Sequence, residues 1–215
     1  MASVSFILDR SGSMFSCIDD TIGGFNAFVE SQKVDNPHGT LSLHLFGNDY
    51  TTMYTNKPVG EVENLTTKTY RPHGGTALLD AIGTTIKEID DRGSTRVVVI
   101  LTDGHENSSQ VYSKTHINDL IRLHNPEWKF VFLGANQDAI GEGQTLGIHP
   151  NSAMTFDAEC VDSAFQSLSA AVGRQMTGET QEVEFTGLER QMSAPVHDAQ
   201  EVRDLPPINV GLKRC

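Results

Sequence analysis

Five oxygen-bearing side chains stand out because each borders a segment that reads as a regular element. Asp9, Ser11 and Ser13 lie in Asp9-Arg10-Ser11-Gly12-Ser13, directly after an apolar run. Thr76 closes His73-Gly74-Gly75-Thr76 ahead of a helical pattern, and Asp103 sits in Thr102-Asp103-Gly104 after a second apolar run. All five are hard oxygen donors, which suit a divalent cation of Mg2+ type and not zinc or copper, which favour imidazole or thiolate. Two carboxylates neutralise such an ion and the hydroxyls add no charge, so it can still accept an incoming carboxylate. The plainer alternative is that these Asp and Ser residues only cap helices and turns. His73, His105 and Glu106 flank the same loops and are expected at the rim, either touching a partner or solvated.

The elements that must position these residues are legible from periodicity. Val4 to Leu8 reads as a short apolar strand, and Ile18, Ile22, Phe25 and Val29 fall at helical spacing beyond the first loop, with Ser16-x-x-Asp19 as a capping signature. Thr40 to Phe46 and Tyr50 to Asn56 read as an antiparallel hairpin with a polar edge strand. Leu78, Ile82, Ile86 and Ile89 mark a helix ending near Arg92-Gly93, and Arg96 to Leu101 (RVVVIL) reads as a central strand buried on both faces. A helix through Ile117 and Ile121 follows, then a strand at Trp128 to Leu133, a short helix within Gln137 to Leu146, a strand around Ser152 to Phe156, and a closing helix from Val161 to Met176. The expected fold class is α/β: a Rossmann-like, doubly wound, mostly parallel sheet with one antiparallel edge strand and helices on both faces. In such sheets the ligand crevice lies outside the carboxyl ends of the strands, where the five donors fall.

Composition narrows the function. The chain has 215 residues, 38% hydrophobic and 20% charged, with 16 basic against 28 acidic residues and a net charge of −12. That balance, with no Lys/Arg cluster, argues against nucleic acid and against an anionic membrane as partners. Cys17, Cys160 and Cys215 form no disulfide or zinc pattern and fit a reducing compartment; with no signal peptide read at the N-terminus, a cytoplasmic location is expected, or carriage inside a phage particle. Cys17 at the start of the first helix is read as a buried, inert thiol rather than a redox switch.

The three motifs together, D-x-S-G-S, G-G-T and T-D-G in this order over residues 9 to 104, resemble the metal-ion-dependent adhesion site (MIDAS) of von Willebrand factor A (vWA) domains. The resemblance assigns Asp9, Ser11, Ser13, Thr76 and Asp103 to the five metal-site positions, with Mg2+ or Mn2+ as the ion and an Asp or Glu carboxylate of another protein as its ligand. It implies a binding module, not an enzyme, of the stand-alone bacterial or phage type, with residues 1–176 as the vWA-like domain; residues 177–215, with few large apolar residues and with Pro195, Pro206 and Pro207, are read as a C-terminal arm or disordered tail. As partners it admits an AAA+ ATPase, a virion component or further copies of the chain in a homo-oligomer, and hence a structural or assembly role in a phage particle. A Mg2+-dependent phosphohydrolase is disfavoured by the residues, since Ser11 stands where the acid/base Asp of a D-x-D motif would be.

Overall fold

The computed structural model describes residues 3–89, 96–125, 127–135, 138–157 and 160–193. Six strands form one sheet in the order β3-β2-β1-β4-β5-β6: β1 (Ser3–Asp9), β2 (Thr40–Phe46), β3 (Tyr50–Pro58), β4 (Arg96–Thr102), β5 (Trp128–Ala135) and β6 (Ala153–Phe156). Every neighbouring pair is parallel except β2–β3, so the sheet is mostly parallel with one antiparallel edge, as the periodicity indicates. From β1 the chain winds first to β2 and β3, then returns to the other side of β1 to place β4. The sheet therefore changes winding direction between β1 and β4, the place where open α/β sheets leave a crevice.

The period-two alternation of the central strands divides the core into two layers. Phe6, Leu8, Val97, Val99 and Leu101 point into one, covered by α1 (Ile18–Asp35) and α5 (Val161–Met176). Ile7, Val98, Ile100 and Phe132 point into the other, covered by α2 (Leu78–Glu88), α3 (Lys114–His124) and α4 (Ala139–Thr145). In the first layer α1 approaches α5 so closely that a Cβ on Gly24 would sit inside the Phe165 ring, which explains a glycine mid-helix despite its entropic cost.

Two boundaries differ from the sequence expectation. Ser16-x-x-Asp19 does not cap α1: a 3-10 turn at Gly12–Cys17 precedes the helix, the Ser16 hydroxyl donates to the Ser13 carbonyl at 3.2 Å, and Cys17 stands at the N-cap without a side-chain cap. Helix α2 stops at Glu88, and the expected end near Arg92-Gly93 lies outside the described residues.

Both sheet edges carry a guard. Edge strand β3 shows register shifts against β2 between Leu41 and Leu43 and between Leu43 and His44, with Asn56 at φ 47 beside the first, where the Ser42 hydroxyl accepts the Asn56 N–H. At the other edge, Arg190 of α6 (Gly187–Ser193) donates to the carbonyls of Ala153, Pro150 and Asn151.

The stretch after α5, expected as an arm or tail from residue 177, is packed as far as Ser193, with Val183 and Phe185 buried in the first layer; residues 194–215 lie outside the described residues. Arg174 grips Glu189 with two hydrogen bonds of 2.8 and 2.9 Å, Glu189 and Thr186 exchange the reciprocal bonds of a capping box, and Lys129 pairs with Glu182 at 2.5 Å. Burial raises the Glu189 carboxyl, but Arg174 and Thr186 outweigh it and hold the group below its ordinary value. A depressed carboxyl contributes stability that is present above its unfolded pKa and lost as pH falls through the folded one. Glu189→Gln is expected to cost about 1–2 kcal/mol at neutral pH and less in acid; a thermal melt series from pH 7 to pH 3 checks this, and a cost that grew in acid would contradict it.

Candidate functional site

Loops at the carboxyl ends of β1 and β4, with the segment leading into α2, bring the sequence-selected oxygens together. Asp9 ends β1 and is fully buried; Ser11 and Thr76 are buried, Asp103 is half-buried and Ser13 is exposed. The Ser11 and Ser13 hydroxyls stand 3.0 Å apart, and the Ser13 hydroxyl donates to Asp103 Oδ1 at 2.5 Å across ninety residues of sequence. Thr76 is next to them: a Cβ on Gly104 would lie 2.8 Å from Thr76 Oγ1 and 3.4 Å from Ser13 Oγ. Only glycine lets the chain pass there without crowding both hydroxyls.

Each donor is braced. The Ser11 N–H donates to Asp9 Oδ1 and the Thr102 hydroxyl to Asp9 Oδ2, both at 2.6 Å. The Asn107 side chain accepts the Thr76 N–H at 2.9 Å, while the N–H groups of Asn107 and Ser108 return to the Thr76 carbonyl. Asn48 Oδ1 accepts the Gly75 N–H at 2.7 Å. Of these supports, Thr102 sits inside the T-D-G motif and was open to recognition. Asn48 and Asn107 carry no sequence signal, because a lone Asn in a loop looks the same whatever it accepts.

The electrostatics favour a cation. Burial raises the Asp9 carboxyl to about 6 against the pull of the Thr102 and Ser11 hydrogen bonds, with the Asp103 charge adding to the rise. Burial likewise raises Asp103 against its bond from Ser13. Among the described residues no ion pair reaches either carboxylate; the nearby Arg10 is turned to Asp49 at 2.8 Å and to Thr51. Two desolvated carboxylates without a counter-charge, facing three hydroxyls, form a donor set that a hard divalent ion fits. Among the described residues no three His, Cys, Asp or Glu side chains converge, so an ion here would need the hydroxyls.

The rim residues separate. His105 is exposed, and exposed His73 lies 3.3 Å from Asp49 with its other ring nitrogen against the Arg71 carbonyl. Glu106 is turned inward: its carboxylate accepts the N–H of Leu79 in the first turn of α2, those of Ser108 and Ser109, and the Ser109 hydroxyl. That is a helix-terminus and loop brace. Cys17 is buried, and burial pushes its thiol up, which fits the inert reading. No helix of the described residues is long and apolar enough to cross a membrane.

Comparison with known proteins matches residues 4–106, just under half of the chain, to the von Willebrand factor type A domain model. No match was found among curated protein sequences. Among solved structures, the chain is similar to proximal thread matrix protein 1 from the mussel byssus with a zinc-occupied MIDAS motif, at TM-score 0.60 and 17% identity over 80% of this chain and 46% of that one. It is also similar to von Willebrand factor type A from Catenulispora acidiphila (TM-score 0.55, 13% identity, 79% of this chain and 42% of that one). A third similar structure is BatB from Bacteroides thetaiotaomicron (TM-score 0.57, 13% identity, 84% of this chain and all of that one). The chain spans about half the length of the mussel and Catenulispora proteins. The fold is accordingly the Rossmann-like fold of von Willebrand factor type A structures, and residues 4–106, which carry all five candidate donors, are the part of the chain that the domain model matches.

Proposed function

We propose that this chain is a metal-dependent protein-binding module. Asp9, Ser11, Ser13, Thr76 and Asp103 would hold a divalent cation of Mg2+ or Mn2+ type, and an Asp or Glu of another protein would complete its coordination. The observation that carries this reading is the convergence of donors from three separate loops at the winding switch between β1 and β4, with Ser13 bridging Ser11 and Asp103. When bound, the ion supplies a Lewis-acid contact for a carboxylate. The chain's own residues orient the oxygens and keep Asp9 out of water.

The binding reading is supported by how the hydroxyls are engaged: Ser11 and Ser13 bond each other and Asp103, and among the described residues no histidine is hydrogen-bonded to either. The zinc-occupied MIDAS of the mussel protein also widens the choice of ion, since the oxygen character of the donors disfavours zinc without excluding it.

Calorimetric titration of wild type and Asp103→Ala with Mg2+, Mn2+ and Zn2+, with circular dichroism to verify folding, tests the reading. Saturable binding by wild type that Asp103→Ala loses is the expected result. Absence of binding by wild type, or equal binding by the variant, would sink it.

A further inference from the structure

The segment between the 3-10 turn at Val59–Glu61 and α2 crosses the site as a strap. At its far end Leu65 is held by Asn26 of α1, whose side-chain amide donates to the Leu65 carbonyl at 3.0 Å and accepts its N–H at 2.7 Å. At its near end it meets the last residue of β1 and the loop that follows at three places. The Tyr70 hydroxyl donates to the Asp9 carbonyl at 2.5 Å, the His73 N–H donates to the Arg10 carbonyl at 2.7 Å, and the Gly74 carbonyl accepts the Gly12 N–H at 3.0 Å. Thr76 follows two residues after Gly74.

The Tyr70 contact differs from the other two. It is made by a side chain, is almost fully buried, and falls on Asp9 itself. The pairing of β1 with β4 ends at Leu8 and Leu101, so one residue later the Asp9 carbonyl is secured by the phenol. Asp9 carries both the carbonyl that Tyr70 holds and the carboxylate proposed to face the ion, and a shift in its backbone moves the carboxylate with it.

We propose that Tyr70 is a positioning residue for the ion, fixing the stance of the Asp9 carboxylate through its main-chain carbonyl. The inference rests on the metal reading of the site. Outer supports of this kind typically change metal affinity by about 10–100-fold.

The experiment titrates Mn2+ and Mg2+ into wild type, Tyr70→Phe and Asn26→Ala, and records each protein's melting temperature in EDTA. Tyr70→Phe keeps the buried ring and removes only the hydroxyl; it is expected to bind either ion about tenfold more weakly. Asn26→Ala frees the same strap at its other anchor and is expected to melt lower with wild-type affinity, separating positioning from a general loss of strap stability. An affinity for Tyr70→Phe within about twofold of wild type, or an equal loss in Asn26→Ala, would overturn the inference. If wild type itself binds neither ion, the metal reading fails and this inference falls with it; if wild type binds and Tyr70→Phe binds equally, only the inference fails.

Discussion

Phe6→Ala is expected to destabilise the protein by about 4 kcal/mol, the range for a fully buried aromatic whose cavity cannot close. Phe6 is wholly inaccessible in β1, and its ring meets Phe25 and Phe28 edge-on at 5.3 and 5.0 Å and stacks on Phe165 at 6.1 Å. β1 is paired on both sides, to β2 and β4, so the backbone cannot sink into the void. The variant also loses aromatic pairings worth about 0.5–1.5 kcal/mol each beyond burial. In a guanidinium titration the midpoint should fall sharply, whereas Phe15→Ala, at a site 65% exposed, should shift stability by less than about 0.5 kcal/mol. Similar losses in the two variants would contradict the described core. Since β1 delivers Asp9 three residues after Phe6, the same packing keeps the site's most buried carboxylate in place.

The second large effect comes from His44, which points from β2 into the layer under α2. Burial lowers its pKa to about 4, with the Arg96 charge adding to the fall and Glu88 opposing it. Its Nδ1 meets the Tyr50 hydroxyl at 2.8 Å and the Thr52 hydroxyl at 3.1 Å; Thr85 bonds the same Tyr50 hydroxyl, and Glu88 lies 3.8 Å away. Its Nε2 has no hydrogen-bond partner among the described residues. Between pH 6.5 and about 4 the unfolded chain binds a proton that the folded chain refuses, so stability falls as pH drops through this window and levels off below it. The cost is about 3 kcal/mol. Urea titrations of wild type and His44→Gln at pH 7, 5.5 and 4 isolate this contribution, because carboxylate titrations cancel in the difference. The stability gap between the two proteins should shrink by about 3 kcal/mol toward pH 4; a gap that stays constant would rule out His44 as the cause.

The sequence made the strands legible where both faces of the sheet are covered. Arg96 to Leu101 is continuously apolar because β4 contacts both layers, and that continuity survives in any reading window. Asp9, Ser11, Ser13 and Asp103 stood out as candidates because they follow such runs, and Thr76 because its Gly-Gly-Thr motif opens a helical pattern and falls between the other two motifs in a characteristic order. The 3-10 turn before α1 was hidden, since Ser16-x-x-Asp19 has the composition of a cap while the Ser16 hydroxyl is taken by a backbone carbonyl. The packed segment after α5 was hidden for a different reason. It offers few large apolar residues, Val183 and Phe185 among them, and is held chiefly by ion pairs and carbonyl contacts from Arg174, Lys129 and Arg190. Partners of that kind depend on tertiary contact and leave no periodic trace. Glu106 shows the same limit, since its position beside the site suggested an outward role and only the fold reveals the helix terminus it serves.

The two irregular places in β3 bear on how molecules meet at high concentration. A strand from a second copy laid along this edge would be in step with it for only a few residues before the first register shift, and again before the next. At the opposite edge, a newcomer would have to displace a guanidinium already bonded to the carbonyl of Ala153. Growth of the sheet from one molecule into the next is thereby disfavoured in both directions, which protects a chain with long, strongly apolar central strands from fibre formation.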